Sequence, residues 1–187
     1  MESIVDVSSW SHPLALRLLR WWSAYPGSSV SLPMVMVDSG HDYSYGYENF
    51  MTNYSAMVDT SLARPPLAQI TADVSRVDNH VHVEADVTNK SGVTLGSSNS
   101  ATVWVIVYEV FDAPGAESLT SRYVRTTTRQ AITTNLADNA TASFNLDTPD
   151  LSGVVWDNLH VVILVDHLPT GSTEQFDTLQ AIDQDIP

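Results

Sequence analysis

Cysteine is absent from this chain of 187 residues, which excludes disulfides, zinc–thiolate sites and any thiol nucleophile within it. Basic charge is scarce: 8 Lys and Arg stand against 22 Asp and Glu, a formal net charge of −14, and Lys90 is the only lysine. Neutralising nucleic-acid phosphates needs clustered Lys and Arg, and an anionic membrane surface attracts the same residues, so neither partner is expected. Acidity of this kind speaks to a soluble, self-repelling surface. No run approaches the ~18 apolar residues of a membrane-spanning helix. Met1-Glu2-Ser3 is acidic where a secretory leader would be basic. No tandem repeat or low-complexity tract stands out, and no Gly-x-Ser-x-Gly elbow is present to support a Ser-His-Asp triad around Asp166-His167.

What the chain does have is apolar content, 43% of its residues, enough for a packed core. Its organisation changes at Arg64-Pro65-Pro66. Before that point the period is helical. Ile4, Val5 and Val7 suggest a short strand over 2–9. Ser11-His12-Pro13 is a helix start, after which Leu14, Leu18, Trp21, Trp22 and Tyr25 recur at spacings of three and four. Arg17 and Arg20 fall on or beside the opposite face of that helix, and Tyr25-Pro26-Gly27 stops it. Pro33 opens an apolar strand, 33–38, whose near-continuous hydrophobicity predicts a central position buried on both faces. Gly40-His41-Asp42 predicts a turn, Tyr43 to Gly46 a short edge strand, and Phe50, Tyr54, Met57, Val58 and Leu62 an amphipathic helix over 47–62.

After Pro66 the period becomes two. Runs at 67–74, 81–87, 102–111, 122–132, 140–146, 159–165 and 176–182 alternate, or are rich in β-branched and aromatic residues, with turn signals between them. About seven such strands are the pattern of an antiparallel sandwich.

The order of these segments resembles a known arrangement. The residues that carry it are Trp22 with Tyr25-Pro26, the run Leu32-Pro33-Met34-Val35-Met36-Val37-Asp38-Ser39-Gly40, and the helix closed by Arg64-Pro65-Pro66. In the second half they are Val107-Tyr108-Glu109, Arg122-Tyr123-Val124-Arg125, Leu159 to Asp166, and Leu179-Gln180-Ala181. Together they resemble exported bacterial proteins of the Omp28-related outer-membrane type, in which a thioredoxin-like domain precedes an immunoglobulin-like sandwich. The resemblance implies an α+β chain: a partial thioredoxin-like α/β segment over 1–64, then an immunoglobulin-like antiparallel β-sandwich over 67–187. It also implies export or attachment to the cell envelope, although the chain shows no signal peptide. In such proteins a Cys-x-x-Cys segment comes before the region matched here, and this chain lacks it.

Several candidate sites follow. The resemblance makes Pro33 a cis-proline, which would expose the backbone of Leu32 for strand-like pairing with a peptide. His80 and His82 stand at i, i+2 on one face of a strand, with Glu84 as a third group, a geometry that can chelate a metal; the solvated face of a half-buried strand has the same appearance. Asp38, His41 and Asp42 could ligate a metal or do acid–base work, but they are also ordinary turn residues. Glu109 with Arg122 or Arg125 predicts a cross-strand ion pair, exposed and contributing little. Trp10, Trp21, Trp22, Trp104 and Trp156 read as packing residues, although Trp21 and Trp22 point about 100° apart on a helix, so one of them would face a missing first half of the fold.

The leading expectation is a non-catalytic protein or peptide interaction module without cofactor. One alternative is a fragment of a thiol-disulfide oxidoreductase whose cysteines lie upstream; another is a carbohydrate-binding sandwich. The first segment is thin for an independent core, and a homodimer through an open sheet edge is the assembly it would favour.

Overall fold

A computed structural model describes residues 14, 15, 17, 20, 34–46, 48–112, 120–172 and 175–187. The predicted strand at 2–9, the Leu32-Pro33 bond and Trp10, Trp21 and Trp22 lie outside these residues. Among them the protein is mostly antiparallel β-sheet. The strands are β1 (Met34–Val37), β2 (Asp42–Tyr45), β3 (Ala68–Val77), β4 (His80–Asn89), β5 (Thr102–Asp112), β6 (Thr120–Ala131), β7 (Thr141–Asp147), β8 (Leu159–His167) and β9 (Asp177–Asp185); helix α1 spans Phe50–Leu62. β3 to β9 form two sheets, ordered β3-β4-β7 and β6-β5-β8-β9, and β1 pairs with β2 in a separate hairpin.

Alternation builds the sandwich. On β4, Val81, Val83, Ala85 and Val87 point into the core, and on β8, Val161, Ile163 and Val165 meet them from the facing sheet. β5 is dry on both sides. Its Val103, Val105 and Val107 line the sandwich core, while Trp104, Ile106 and Tyr108 pack on the opposite face with Val124, Leu164 and Leu14. That second cluster explains why 102–110 and 159–165 lack polar alternation: a central strand covered on both faces has no wet side. The cover on the outer face comes from the N-terminal part of the chain, where Leu14 is fully buried and Ala15, Arg17 and Arg20 are helical. The two sheets are also tied at one side, where the Leu67 N–H donates to the Leu179 carbonyl at 2.9 Å and the Ile70 N–H to Gln180 Oε1 at 2.7 Å.

All seven strands expected after Pro66 are present. The first segment departs from expectation. β1 is not buried on both faces: its four residues are only half-buried, and among the described residues it pairs with β2 alone. Its apolar run packs against α1 and β2. α1 buries a single side chain, Met57, and leaves Met51, Val58 and Leu62 exposed.

Replacing Ile163, fully buried between the sheets, by alanine is expected to lower stability by about 2–5 kcal/mol in urea unfolding. Leu62→Ala, at a side chain 78% exposed, is expected to change it by less than about 0.5 kcal/mol.

Candidate functional site

The densest group of polar side chains lies where the N-terminal segment meets the outer face of the four-stranded sheet. Its centre is Asp166, on the outer face of β8 and fully buried. Arg17 Nη1 is 3.6 Å from its Oδ2 and Arg20 Nη1 is 3.2 Å from its Oδ1. The Trp104 indole N–H donates to Oδ1 at 3.0 Å, and the Ser39 hydroxyl donates to Oδ2 at 3.2 Å. These four groups are all donors, which is the complement of the acceptor-only ionised form. Burial pushes the carboxyl's pKa up, against the opposing pull of Arg20, Arg17, Trp104 and Ser39. Burial likewise lowers Arg20, with Asp166 opposing and Arg129 and Arg17 adding to the fall.

The arginines are held by more than charge. Arg20 Nη2 donates to Thr102 Oγ1 at 2.7 Å, and its guanidinium lies 4.0 Å from the Phe176 ring centroid. The guanidiniums of Arg17, Arg20 and Arg129 each stand 5.2–5.3 Å from the Trp104 ring, within cation–π range. Both Arg17 and Arg20 belong to the packed interior and not to an outward helix face, which corrects the sequence expectation: with Asp166 at the sheet surface, the arginines turn inward to pair with it.

Ser39 sits in an unusual backbone. Asp38, Ser39 and Gly40 all have positive φ, at 50°, 60° and 98°, a region that costs non-glycine residues about 1 kcal/mol or more. Side chains pin the turn. Ser39 Oγ is 2.8 Å from Thr178 Oγ1. Asp38 accepts from Ser61 at 2.5 Å and from Arg64 at 2.9 Å, and Arg64 reaches on to both oxygens of Asp177 at 2.7 and 2.6 Å. Arg64, at the expected boundary, therefore staples the first segment to β9. Chemically this is a junction: Ser39 faces a carboxylate and a guanidinium, and no imidazole hydrogen-bonds to it among the described residues.

The sequence-predicted sites fall elsewhere. His80, His82 and Glu84 share the outer face of β4, but His80 Nδ1 lies 2.8 Å from the Thr148 carbonyl. His82 Nδ1 is 2.7 Å from Asp147 and its Nε2 is 3.6 Å from Glu84. Among the described residues no three His, Asp or Glu side chains are grouped to hold a metal ion. His41 stands 3.5 Å from Asp177, and Asp42 accepts the Tyr43 N–H. His167, next to Asp166, is buried with no hydrogen-bond partner for Nδ1 among the described residues; burial lowers its pKa, opposed by Asp177 and Asp166. Glu109 does pair across the strands, with Arg125 Nε at 2.6 Å, and it also accepts the Val155 N–H. Glu109 itself is 4% exposed while Arg125 is half-buried, so the pair is a partly buried one and not the exposed one expected; the bulge between Val107 and Tyr108 lies where Arg125 meets the inward-facing carboxylate. No helix among the described residues is long and apolar enough to cross a membrane.

No protein family and no curated protein matches the chain. Similar solved structures include the sporulation control protein Spo0M of Bacillus subtilis, 10% identical with a TM-score of 0.40, over 65% of this chain and 50% of that one. They also include the GH3 beta-glucosidase of Bifidobacterium adolescentis, 19% identical with a TM-score of 0.32, over 65% of this chain and 17% of that one. The beta-glucosidase of Kluyveromyces marxianus, solved in complex with glucose, is 13% identical with a TM-score of 0.28, over 65% of this chain and 14% of that one. This chain thus spans half or less of each, and overlap this loose assigns it no function.

Asp166→Ala is expected to destabilise the protein by about 3–5 kcal/mol, because it leaves two guanidiniums buried without their carboxylate; chemical denaturation measures it. A separate titration applies to His82. Its hydrogen bond to Asp147, opposed by slight burial, raises its pKa above 6.5. The raised value means that the stabilisation is fully present below pH 6.5 and is lost as pH rises through the folded-state pKa. An NMR titration is expected to place the His82 ring above 6.5 in the parent chain and to move it down in Asp147→Asn.

Proposed function

We propose that the chain is a non-catalytic interaction module, exported or envelope-associated, that takes an extended protein or peptide segment along a sheet edge. The observation that carries this is β6. It is 12 residues long, and among the described residues it pairs with β5 alone. An edge strand presents alternate N–H and C=O groups that an added strand can satisfy. β6 also concentrates positive charge in an acidic protein: Arg122, Arg125 and Arg129 are three of the chain's 8 basic residues, and Arg122, Tyr123 and Arg129 are exposed. The segment it suits is extended and acidic.

Two further observations support the wider resemblance. The β1–β2 hairpin followed by α1 has the element order of the second half of a thioredoxin-like domain. The division of seven strands into β3-β4-β7 and β6-β5-β8-β9 is the kind of two-sheet arrangement found in immunoglobulin-like sandwiches.

Screening a peptide library on the purified chain is expected to enrich acidic sequences, with binding lost when proline replaces a central residue of the peptide. Arg122→Glu and Arg129→Glu are each expected to weaken binding a few fold, about 0.2–1 kcal/mol per cross-strand charge pair. No enrichment over a scrambled matrix would count against the proposal.

A further inference from the structure

Among the described residues the four-stranded sheet ends at β6 on one side and at β9 on the other, and the two edges are opposite in charge. β6 holds Arg122, Arg125 and Arg129 and no acid; β9 holds Asp177, Asp183 and Asp185 and no base. Arg125 is paired with Glu109 and Asp177 with Arg64, while Arg122 and Arg129 lie over the Tyr108 and Trp104 rings of their own chain at 5.9 and 5.2 Å, contacts that leave their guanidinium N–H groups able to meet a carboxylate. Arg122, Arg129, Asp183 and Asp185 are exposed. Asp183 accepts the Tyr108 hydroxyl at 2.6 Å, and Asp185 stands 3.0 Å from His160; each uses one carboxylate oxygen in doing so. The first half of β9 is covered by the chain itself, through Ser39 on Thr178, Arg64 on Asp177 and the Leu67 N–H on the Leu179 carbonyl. Beyond Gln180 these ties end, and Ala181, Asp183, Gln184 and Asp185 are exposed.

Direction and register agree with an end-to-end contact. Neighbouring strands are antiparallel across the whole sheet. A second copy set beside the first in the same orientation therefore brings its β6 antiparallel to β9. Lines of paired residues run from Asp185 through His160 and Tyr108 to Val124, and from Ala181 through Leu164 and Trp104 to Arg129. Continued into a second copy, the first line puts Asp185 beside that copy's Val124 and diagonal to its Arg122. Asp183, two residues from Ala181, stands diagonal to its Arg129. Diagonal neighbours on one face lie about 7–8 Å apart, within reach of arginine.

We infer that this chain binds a second copy of itself by pairing Ala181–Asp185 with the middle of β6, joining two four-stranded sheets end to end. The inference rests on the reading of β6 as a strand-accepting edge and names its occupant. The two surfaces differ, so the contact does not close on itself: every dimer keeps one open β6 and one open β9, and assembly grows head to tail. The net charge of −14 opposes approach at long range, but it is screened beyond about 8 Å at physiological salt, which leaves the local pairs to decide.

Sedimentation velocity on the full chain over a concentration series at physiological salt tests this. The parent's mass is expected to rise above 20.5 kDa with concentration. Arg122→Glu and Asp185→Arg are each expected to hold it near the monomer, with Arg129→Glu as the second basic-edge variant if Arg122→Glu fails to fold by circular dichroism. An equimolar mixture of Arg122→Glu and Asp185→Arg is expected to regain growth, because its junctions alternate between the original charge pair and the reversed one, and both substitutions in one chain are expected to restore growth for the same reason. A parent that stays at 20.5 kDa throughout, or growth that the variants leave unchanged, overturns the inference. Peptide screening of the same sample separates the two ideas: a monomer that still retains acidic peptides sinks the self-association alone, and a monomer that retains none sinks both.

Discussion

A single buried carboxylate organises the junction on which the outer half of this protein depends. Asp166 has no exposed surface, and taking an ion out of water costs several kcal/mol unless donors replace the lost hydration. Here they come from both parts of the chain: Trp104 from the sheet, and Arg17, Arg20 and Ser39 from the N-terminal segment. The carboxylate is therefore satisfied only while the segment is docked. The segment in turn covers Trp104, Ile106 and Leu164, which would otherwise stand on an open sheet face. Polar pairing and apolar burial are thus coupled at one interface, and the strained turn at Asp38-Ser39-Gly40 is held by the same contacts.

The consequence is asymmetry in the sandwich. The β3-β4-β7 sheet keeps a polar outer face, where His82, Glu84 and Asp147 meet one another in partly exposed pairs. The β6-β5-β8-β9 sheet is covered over its centre, so its accessible features are its two edges.

The sandwich was legible in the sequence because its signal is local. Val81, Val83, Ala85 and Val87 alternate with His82, Glu84 and Asp86, and strict alternation has no other economical explanation. Continuous runs such as Val103 to Val107 announce burial on both faces without saying what lies on each. The same signal misled at Met34–Val37, where four apolar residues serve a half-buried hairpin. The Asp166 junction was not legible, because its members are far apart in the chain: Ser39 and Asp166 are separated by 127 residues. Arg17 and Arg20 looked like the wet side of an amphipathic helix. The one clue was Asp166 itself, a charge at the end of the most apolar strand. Glu109, another acid within an apolar strand, carried the same clue and proved to be buried too.

The most direct test of this account is a double-mutant cycle between Asp166 and Arg20 in urea unfolding, using Asp166→Asn, Arg20→Met and the pair. If the two groups form one buried junction, the double variant should be more stable than the sum of the single losses predicts, by about 1–3 kcal/mol. Additivity within about 0.5 kcal/mol would mean that Asp166 and Arg20 act independently, and would contradict the claim that this carboxylate holds the two parts of the chain together.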